Sequence, residues 1–381
     1  MYFDQIDESS LTEAVSNAAA PYDSPVAVIF LSEKHADNVP DLIKRLKALK
    51  VPFIGGLFPA LIHGEKAYHS GAIINVFPSA HAPIVVTGLD QDNYTAPDLT
   101  ELLEANSSSQ ATAIIFMDAM TVNNTALLSD LFHHVGNRLH FFGGGTGYSD
   151  LQHRPSVFTR DGFIKDAAVI AFTGLTSTIG VRHGWQRISE EPLIATRSHK
   201  NTVFELNWEP AFDIYKASVQ EHGQTDITTG ADFHAKASLF PLGLFREGQE
   251  DVVRDPIALQ ESGHIQFVSS VPENSVMHLL HGNSASLIEA ASMAVDDCQW
   301  DKHKQASHCL IIDCYSRTLA LGDAFDTELQ AVSRRLKEHG QHCLPEGAVT
   351  LGEISSYGDD YLELFNKTVV IGLLHDGLLH E

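Results

Sequence analysis

Short runs of consecutive apolar residues alternate along the chain with segments whose apolar positions recur every three or four residues. The first kind suits a buried strand and the second an amphipathic helix, and their alternation is the signature of an α/β fold. Val26–Ser32 is an apolar run of strand length. Pro40–Lys50 follows with Leu42, Ile43, Leu46 and Leu49 at helical spacing and Pro40 at an early helical position. Val51–Ile54, stopped by Gly55-Gly56, and Gly71–Phe77 continue as strands. The pattern recurs as strand Ala111–Met117, helix Thr125–Val135, strand Leu139–Phe142 stopped by Gly143-Gly144-Gly145, and strand Ala167–Phe172. A third copy reads strand His308–Cys314, helix Ala324–His339, strand Ala348–Leu351 stopped by Gly352-Glu353, and strand Thr368–Leu374. Either the chain holds three similar strand–helix–strand–glycine–loop–strand units, or these are the chance matches that any α/β protein yields. A true repeat presents three loops from comparable strand ends, where ligands of such sheets bind.

The region between the second and third copies is different. Ser156–Arg160, the turn Asp161-Gly162 and Phe163 onward read as a hairpin. Thr176–His183 alternates like a strand, and Thr202–Leu206 is a strand leading to a helix over Glu209–Glu221, where Phe212, Tyr215 and Val219 share a face. His222–Ala235 is poor in large apolar residues and is the expected linker. The expected organisation is an N-terminal extension (1–24), a first domain (25–225), a second domain (226–374) and a tail (375–381), with mixed sheets flanked by helices.

Composition narrows the function classes. The 381 residues suit two or three domains at about 150 residues each. Lys+Arg 25 against Asp+Glu 49 leaves a net charge of −24, which repels nucleic acid and acidic membranes. No apolar run reaches transmembrane length, and Met1–Ser10 carries acids rather than a basic, apolar leader. Cys298, Cys309, Cys314 and Cys343 form no Cys-x-x-Cys pair, so no disulfide framework is expected. The reading is a cytoplasmic protein. Its 21 histidines make acid sensitivity plausible and any single histidine a poor clue.

Constellations that carry chemistry are few. Gly143-Gly144-Gly145-Thr146-Gly147 follows a strand but lacks a P-loop lysine and opens no helix, so it is a tight turn or a backbone cradle for a small ligand. His339-x-x-His342-Cys343 reads as a solvated helix end rather than a zinc site, and no Gly-x-Ser-x-Gly elbow appears. No catalytic set emerges, and no enzyme is expected. Arg182-His183-Gly184-Trp185 places an imidazole and a guanidinium at a strand end beside a large aromatic; they are surface groups next to a core Trp, or a ligand-binding set. Asp313-Cys314-Tyr315-Ser316-Arg317 holds an acid and a base around another strand end, as an internal ion pair or a ligand clamp.

These residues carry a resemblance to the FIST family of sensory proteins. Ile54-Gly55-Gly56, Phe141–Asp150, His183-Gly184-Trp185 and Val203–Tyr215 resemble the FIST N domain. Phe240-Pro241-Leu242-Gly243, Val253-Arg254-Asp255-Pro256, Gly263–Phe267, Val271-Pro272-Glu273, Asp313–Arg317, Gly352-Glu353-Ile354 and Phe365-Asn366-Lys367-Thr368 are similar to FIST C. The matches run in order over nearly the whole chain. Glu273-Asn274 stands where the family commonly has Glu-Gly, and Phe365-Asn366 where it has His-Asn. The resemblance implies a sensor that binds a small ligand and signals to a partner, with Gly144, Gly145, Arg182, Trp185, Asp313, Arg317, Glu353 and Asn366 as ligand-binding candidates. A chain of these two domains also resembles the NosP type, free-standing haem proteins that sense nitric oxide and regulate a histidine kinase or a cyclic-di-GMP enzyme. That likeness implies haem b, with His183 as the iron ligand and His199, His234 and His264 behind it. The rival expectation is a haem-free receptor for an amino acid or similar polar metabolite, clamped by Arg182, Arg317 and Glu353.

Overall fold

A computed structural model describes residues 1–4, 8–79, 81–95, 111–228, 233–298, 305–357 and 361–376. The fold is α/β with mixed sheets, and the three expected units are all present. The first comprises strand Pro25–Ser32, helix Val39–Ala48 and strand Phe53–Phe58, parallel to the first strand, with Ala72–Pro78 antiparallel on its other side. The second repeats this with Ala111–Asp118, Asn124–Val135, Leu139–Thr146 and Ala168–Arg182. The third uses His308–Cys314, Phe325–Glu338, Pro345–Thr350 and Val369–His375.

The register agrees to the residue. Ile29 pairs with Gly55 and Ile74, Ile115 with Gly143 and Ile170, and Ile311 with Gly347 and Ile371. Each unit also carries a hairpin before its last strand, and these hairpins are exchanged cyclically. Ala60–His63 of the first unit pairs with Pro345–Thr350 of the third. Val157–Thr159 of the second pairs with Phe53–Phe58 of the first. Glu353–Tyr357 of the third pairs with Leu139–Thr146 of the second. The three units thus close a ring.

This ring explains why the strands read as uninterrupted apolar runs: both faces are covered. Phe30, Phe116 and Ile312, at equivalent positions, point into one shared core, where the rings of Phe30 and Phe116 meet edge-on at 4.9 Å. Their neighbours Ile29, Ile115 and Ile311 point outward into three separate cores, each covered by its own unit's helix. The helix Phe325–Glu338 covers its core with Phe325, Leu329, Val332 and Leu336, a single stripe at helical spacing.

The glycines do not stop the first two sets of strands as expected. Gly55-Gly56 and Gly143-Gly144-Gly145 lie within Phe53–Phe58 and Leu139–Thr146. Their role is close packing: a Cβ on Gly55 would enter the Phe158 ring, and one on Gly143 or Gly347 would land on the carbonyl oxygen of Ile115 or Ile311. The third unit's helical segment is longer than its pattern suggests, because a separate short helix, Tyr315–Leu321, precedes Phe325–Glu338 and a tight turn at Gly322–Ala324 joins the two.

The second unit's last strand runs on past its partner. After a register shift between Thr173 and Thr176, its second half, Thr176–Arg182, pairs with Val369–His375 and fuses the second and third sheets. Beyond Arg182 the chain enters a smaller β-rich region. There Gln186–Arg187 and Leu193–Ile194 pair with Val276–His281, and Thr202–Leu206 pairs with Ile265–Phe267, across the boundary expected at 225/226. Part of the expected linker, 229–232, and most of the tail lie outside the described residues. The chain re-enters the ring through helix Ser284–Asp297, whose start is closed by Asn283 accepting from the Ser286 N–H at 3.0 Å. Among the described residues no helix is long and apolar enough to cross a membrane.

Gly347→Ala should therefore destabilise the protein by about 1–3 kcal/mol or more through overpacking against the Ile311 carbonyl. A urea-unfolding midpoint equal to that of the parent would contradict this packing role.

Candidate functional site

The site forms where Ala168–Arg182 leaves the ring. Gly184 adopts a φ of 77°, and a Cβ there would collide with Ser286 and Ala290, so the chain turns closely against the following helix. That turn sends Trp185 inward, 4% exposed, against Gly282. Its indole N–H donates to the Lys367 carbonyl at 3.3 Å, and the Lys367 ammonium lies 5.0 Å from the ring centre. The His183 ring is buried beside it, with Nδ1 accepting from the Trp185 N–H at 2.9 Å. Burial lowers the His183 pKa. The ring is therefore neutral near pH 7 with its proton on Nε2, which is buried without a hydrogen-bond partner 3.6 Å from Glu250.

Beneath Trp185 lies a layer of buried charge. The Arg317 guanidinium has no solvent exposure and donates to both Glu328 carboxylate oxygens, at 3.2 and 2.6 Å. It also donates to the backbone carbonyls of Leu287 at 2.6 Å, His183 at 2.5 Å and Lys367 at 3.5 Å. Asp313 sits 3.7 Å away, and burial, with the Glu328 charge, pushes its pKa well above the usual carboxylate range. Glu353 accepts from the Thr368 N–H and the Thr350 hydroxyl, and burial raises its pKa well above the ordinary value too. Burial pushes the Cys314 thiol up to about 12. Lys367 is paired with the buried Asp255 at 3.2 Å, and Asn366 donates to the Phe365 carbonyl.

Above Trp185 opens a cavity of about 550 Å³. One wall is Arg182, His183 and Trp185; the other is the loop that carries Phe245, Arg246, Glu250 and Asp251. Glu250 accepts from the His183 N–H at 3.1 Å and lies 3.7 Å from Arg182, which is also paired with Asp297. Arg187 grips Asp251 through two hydrogen bonds, and its guanidinium sits 5.2 Å from the Phe245 ring. Arg246 lies 5.0 Å from the Tyr361 ring and 3.7 Å from Glu363. The cavity thus combines guanidinium groups, carboxylates and two aromatic faces.

Of the residues singled out from the sequence, Arg182, His183 and Trp185 line this cavity. Asp313, Arg317, Glu353 and Asn366 belong to the buried layer, so Arg317 forms the internal ion pair and neither it nor Glu353 reaches the cavity as a clamp. Gly144 and Gly145 are in the ring. Gly144 pairs with Glu353, and the Gly145 N–H donates to the Gly352 carbonyl at 2.8 Å. The sequence reasoning missed Arg187, on the short strand Gln186–Arg187, and Phe245, Arg246, Glu250 and Asp251, which come from an irregular loop without a motif; the only signal was the charge density of 246–251 around Gly248.

These residues do not fit a haem. A histidine that binds iron through Nε2 carries its remaining proton on Nδ1, where it donates to an acceptor. Here Nδ1 faces a backbone N–H donor, and three guanidinium groups and two carboxylates stand in the cavity wall where a haem needs apolar faces. His199 and His234 are exposed, and His264 packs edge-on against Phe204 with Nδ1 bonded to Ser262.

Family models match FIST N over residues 25–209 and FIST C over residues 211–356. The chain belongs to the FIST family. FIST domains are associated with small-ligand sensing in signal transduction. The family's usual glycine after Val-Pro-Glu is explained by Asn274, which holds a left-handed φ of 67°; Phe365, in place of the usual His, is buried in the central core. No curated protein matches the chain. Among solved structures, "Structure of PurLQS from Thermotoga maritima" is similar at 9% identity, covering 92% of this chain and 65% of that one with a TM-score of 0.19. A likeness that weak carries no argument about either fold or function.

The raised pKa of Asp313 has a definite consequence. Below the ordinary carboxylate range both folded and unfolded states hold the proton; as pH rises, the unfolded state releases it first, so stability is lost toward the raised native value. Asp313→Asn should reduce the fall in unfolding free energy between pH 5 and pH 8. An unchanged difference between those two pH values would show that Asp313 is ionised in the native protein.

Proposed function

We propose that this FIST protein is a cytoplasmic, haem-free receptor for a small zwitterionic metabolite of amino-acid type, and not an enzyme. The observation that carries the reading is the cavity itself, where guanidinium groups and the Glu250 carboxylate flank Trp185 and Phe245 across the junction of the FIST N and FIST C segments. A ligand carboxylate suits the fork of Arg182 or Arg246, its ammonium suits Glu250, and its side chain suits the aromatic faces. Family membership supports the sensory role. Cys314 offers little for nucleophilic chemistry, since burial holds its thiol protonated at neutral pH.

Binding would be coupled to a signal through Glu250, which holds the His183 N–H on one side and faces Arg182 on the other. A ligand ammonium at Glu250 competes with Arg182 and shifts the loop relative to the strand end. The result is a difference in affinity between two arrangements that a signalling partner can read.

The test is thermal unfolding against the twenty amino acids one by one. At least one should stabilise the protein, by about 2.7 kcal/mol at a hundredfold excess over its Kd. Arg246→Ala and Glu250→Gln, both at the cavity wall, should lose that shift while the ligand-free protein unfolds nearly as before. Absence of any shift, or a shift that survives both substitutions, would exclude this reading.

A further inference from the structure

On the ring, away from the cavity, we infer a binding site for a divalent transition-metal ion built by Asp118, His153 and Asp166. One donor atom from each of the three lies within 4.8 Å of the others. His153 Nε2 is 2.9 Å from Asp118 Oδ2 and 3.3 Å from Asp166 Oδ1. Three donors bound at about 2.0–2.2 Å to one ion span similar separations.

Two observations point to a cation rather than a simple hydrogen-bonded cluster. First, Nε2 carries a single hydrogen, and its hydrogen bond runs to Asp118. Asp166 Oδ1 faces the same nitrogen, buried and without a hydrogen bond, while the carboxylate's other oxygen, Oδ2, is 3.7 Å from the half-exposed Lys165 ammonium. One N–H cannot satisfy both carboxylates, whereas one metal ion accepts a lone pair from each. Second, the ring does not need an acid at this position. Asp118 is equivalent to Ser32 and Cys314 in the other two units, for the N–H groups of all three donate to matching carbonyls, those of Ala167, Gly71 and Thr368. A hydroxyl and a thiol satisfy the fold there. Only the second unit places a nearly fully buried carboxylate at this strand end and then surrounds it with an imidazole and a second carboxylate.

The donor set selects the ion. One imidazole nitrogen with two carboxylate oxygens suits zinc, manganese or iron(II) better than magnesium or calcium, which prefer all-oxygen shells. His153 is 29% exposed, which gives an entry path from solvent. The Asp118 oxygens also hold the backbone N–H groups of Met120 at 3.1 Å and Asp166 at 2.7 Å, so this ligand is fixed in place before any ion arrives. A bound ion would tie together the strand end at Asp118, the 147–156 loop and the turn at Asp166.

The experiment is calorimetric titration of tag-free, chelator-treated protein with Zn²⁺ and, separately, Mn²⁺, on the parent, His153→Ala and Asp166→Asn. Asp118 is left intact because its backbone contacts make it a folding residue. The expected result is one saturable ion per chain, weakened by at least about tenfold in each variant. Three outcomes overturn the proposal: no saturable uptake of either ion, binding of equal strength in both variants (which places the ion at other histidines), or a proton on His153 as the sole cation. The last is read as an imidazolium signal in the NMR spectrum that persists at saturating metal.

Discussion

The buried guanidinium of Arg317 is the constraint on which the site depends. Its five donors reach Glu328 on one helix, Leu287 on another, the His183 carbonyl at a strand end and the Lys367 carbonyl at the start of the last strand. Those partners come from the FIST N segment, the FIST C segment and the chain just beyond it. Leaving such a buried charge without its partner costs about 3–5 kcal/mol, so the four elements move together or not at all. The Lys367 carbonyl also accepts from the Trp185 indole, which seats the cavity's aromatic wall on the same anchor. Arg182, His183 and Trp185 can face a ligand in a defined geometry because the backbone beneath them is held by a cation that water does not reach.

The ring is the second constraint. Each second strand has its glycine, or for the first unit its glycine and the Phe158 ring, at the rung opposite an isoleucine. Exchange of hairpins around the ring means that no unit completes its sheet alone. The ring also creates three equivalent strand ends, and the chain has furnished them differently: Ser32 with a hydroxyl, Cys314 with a thiol over the buried charge layer, and Asp118 with a carboxylate. Similar frames with different chemistry let one fold carry a ligand cavity beside one unit and an independent cluster on another.

Much of this was legible in the sequence. The apolar runs at Val26–Ser32, Ala111–Met117 and His308–Cys314 identified the first strand of every unit, because strands buried on both faces leave no polar alternation to confuse them. Glycine does not end these strands, since Gly55 and Gly143 are set by the close approach of a ring and a carbonyl that come from elsewhere in the chain. At the site, Arg182, His183 and Trp185 were visible as a compact motif, and Arg317 was visible as a charge beside Asp313. Whether Arg317 faced a ligand or Glu328 depended on a helix eleven residues away. The wall formed by Arg246, Glu250 and Asp251 left only a cluster of charge in the sequence, and the grouping of Asp118, His153 and Asp166 left nothing, because irregular segments bring these residues to their neighbours and have no periodicity to read.

The central claim is that a small polar ligand binds where the strand end at 182–187 meets the loop at 245–251. Amide hydrogen exchange, followed by mass spectrometry with and without a saturating mixture of amino acids, tests it most directly. The account predicts slowed exchange in both segments and none at 143–147, the glycine-rich strand of the ring. Protection confined to 143–147, or no protection in either cavity segment, would contradict it.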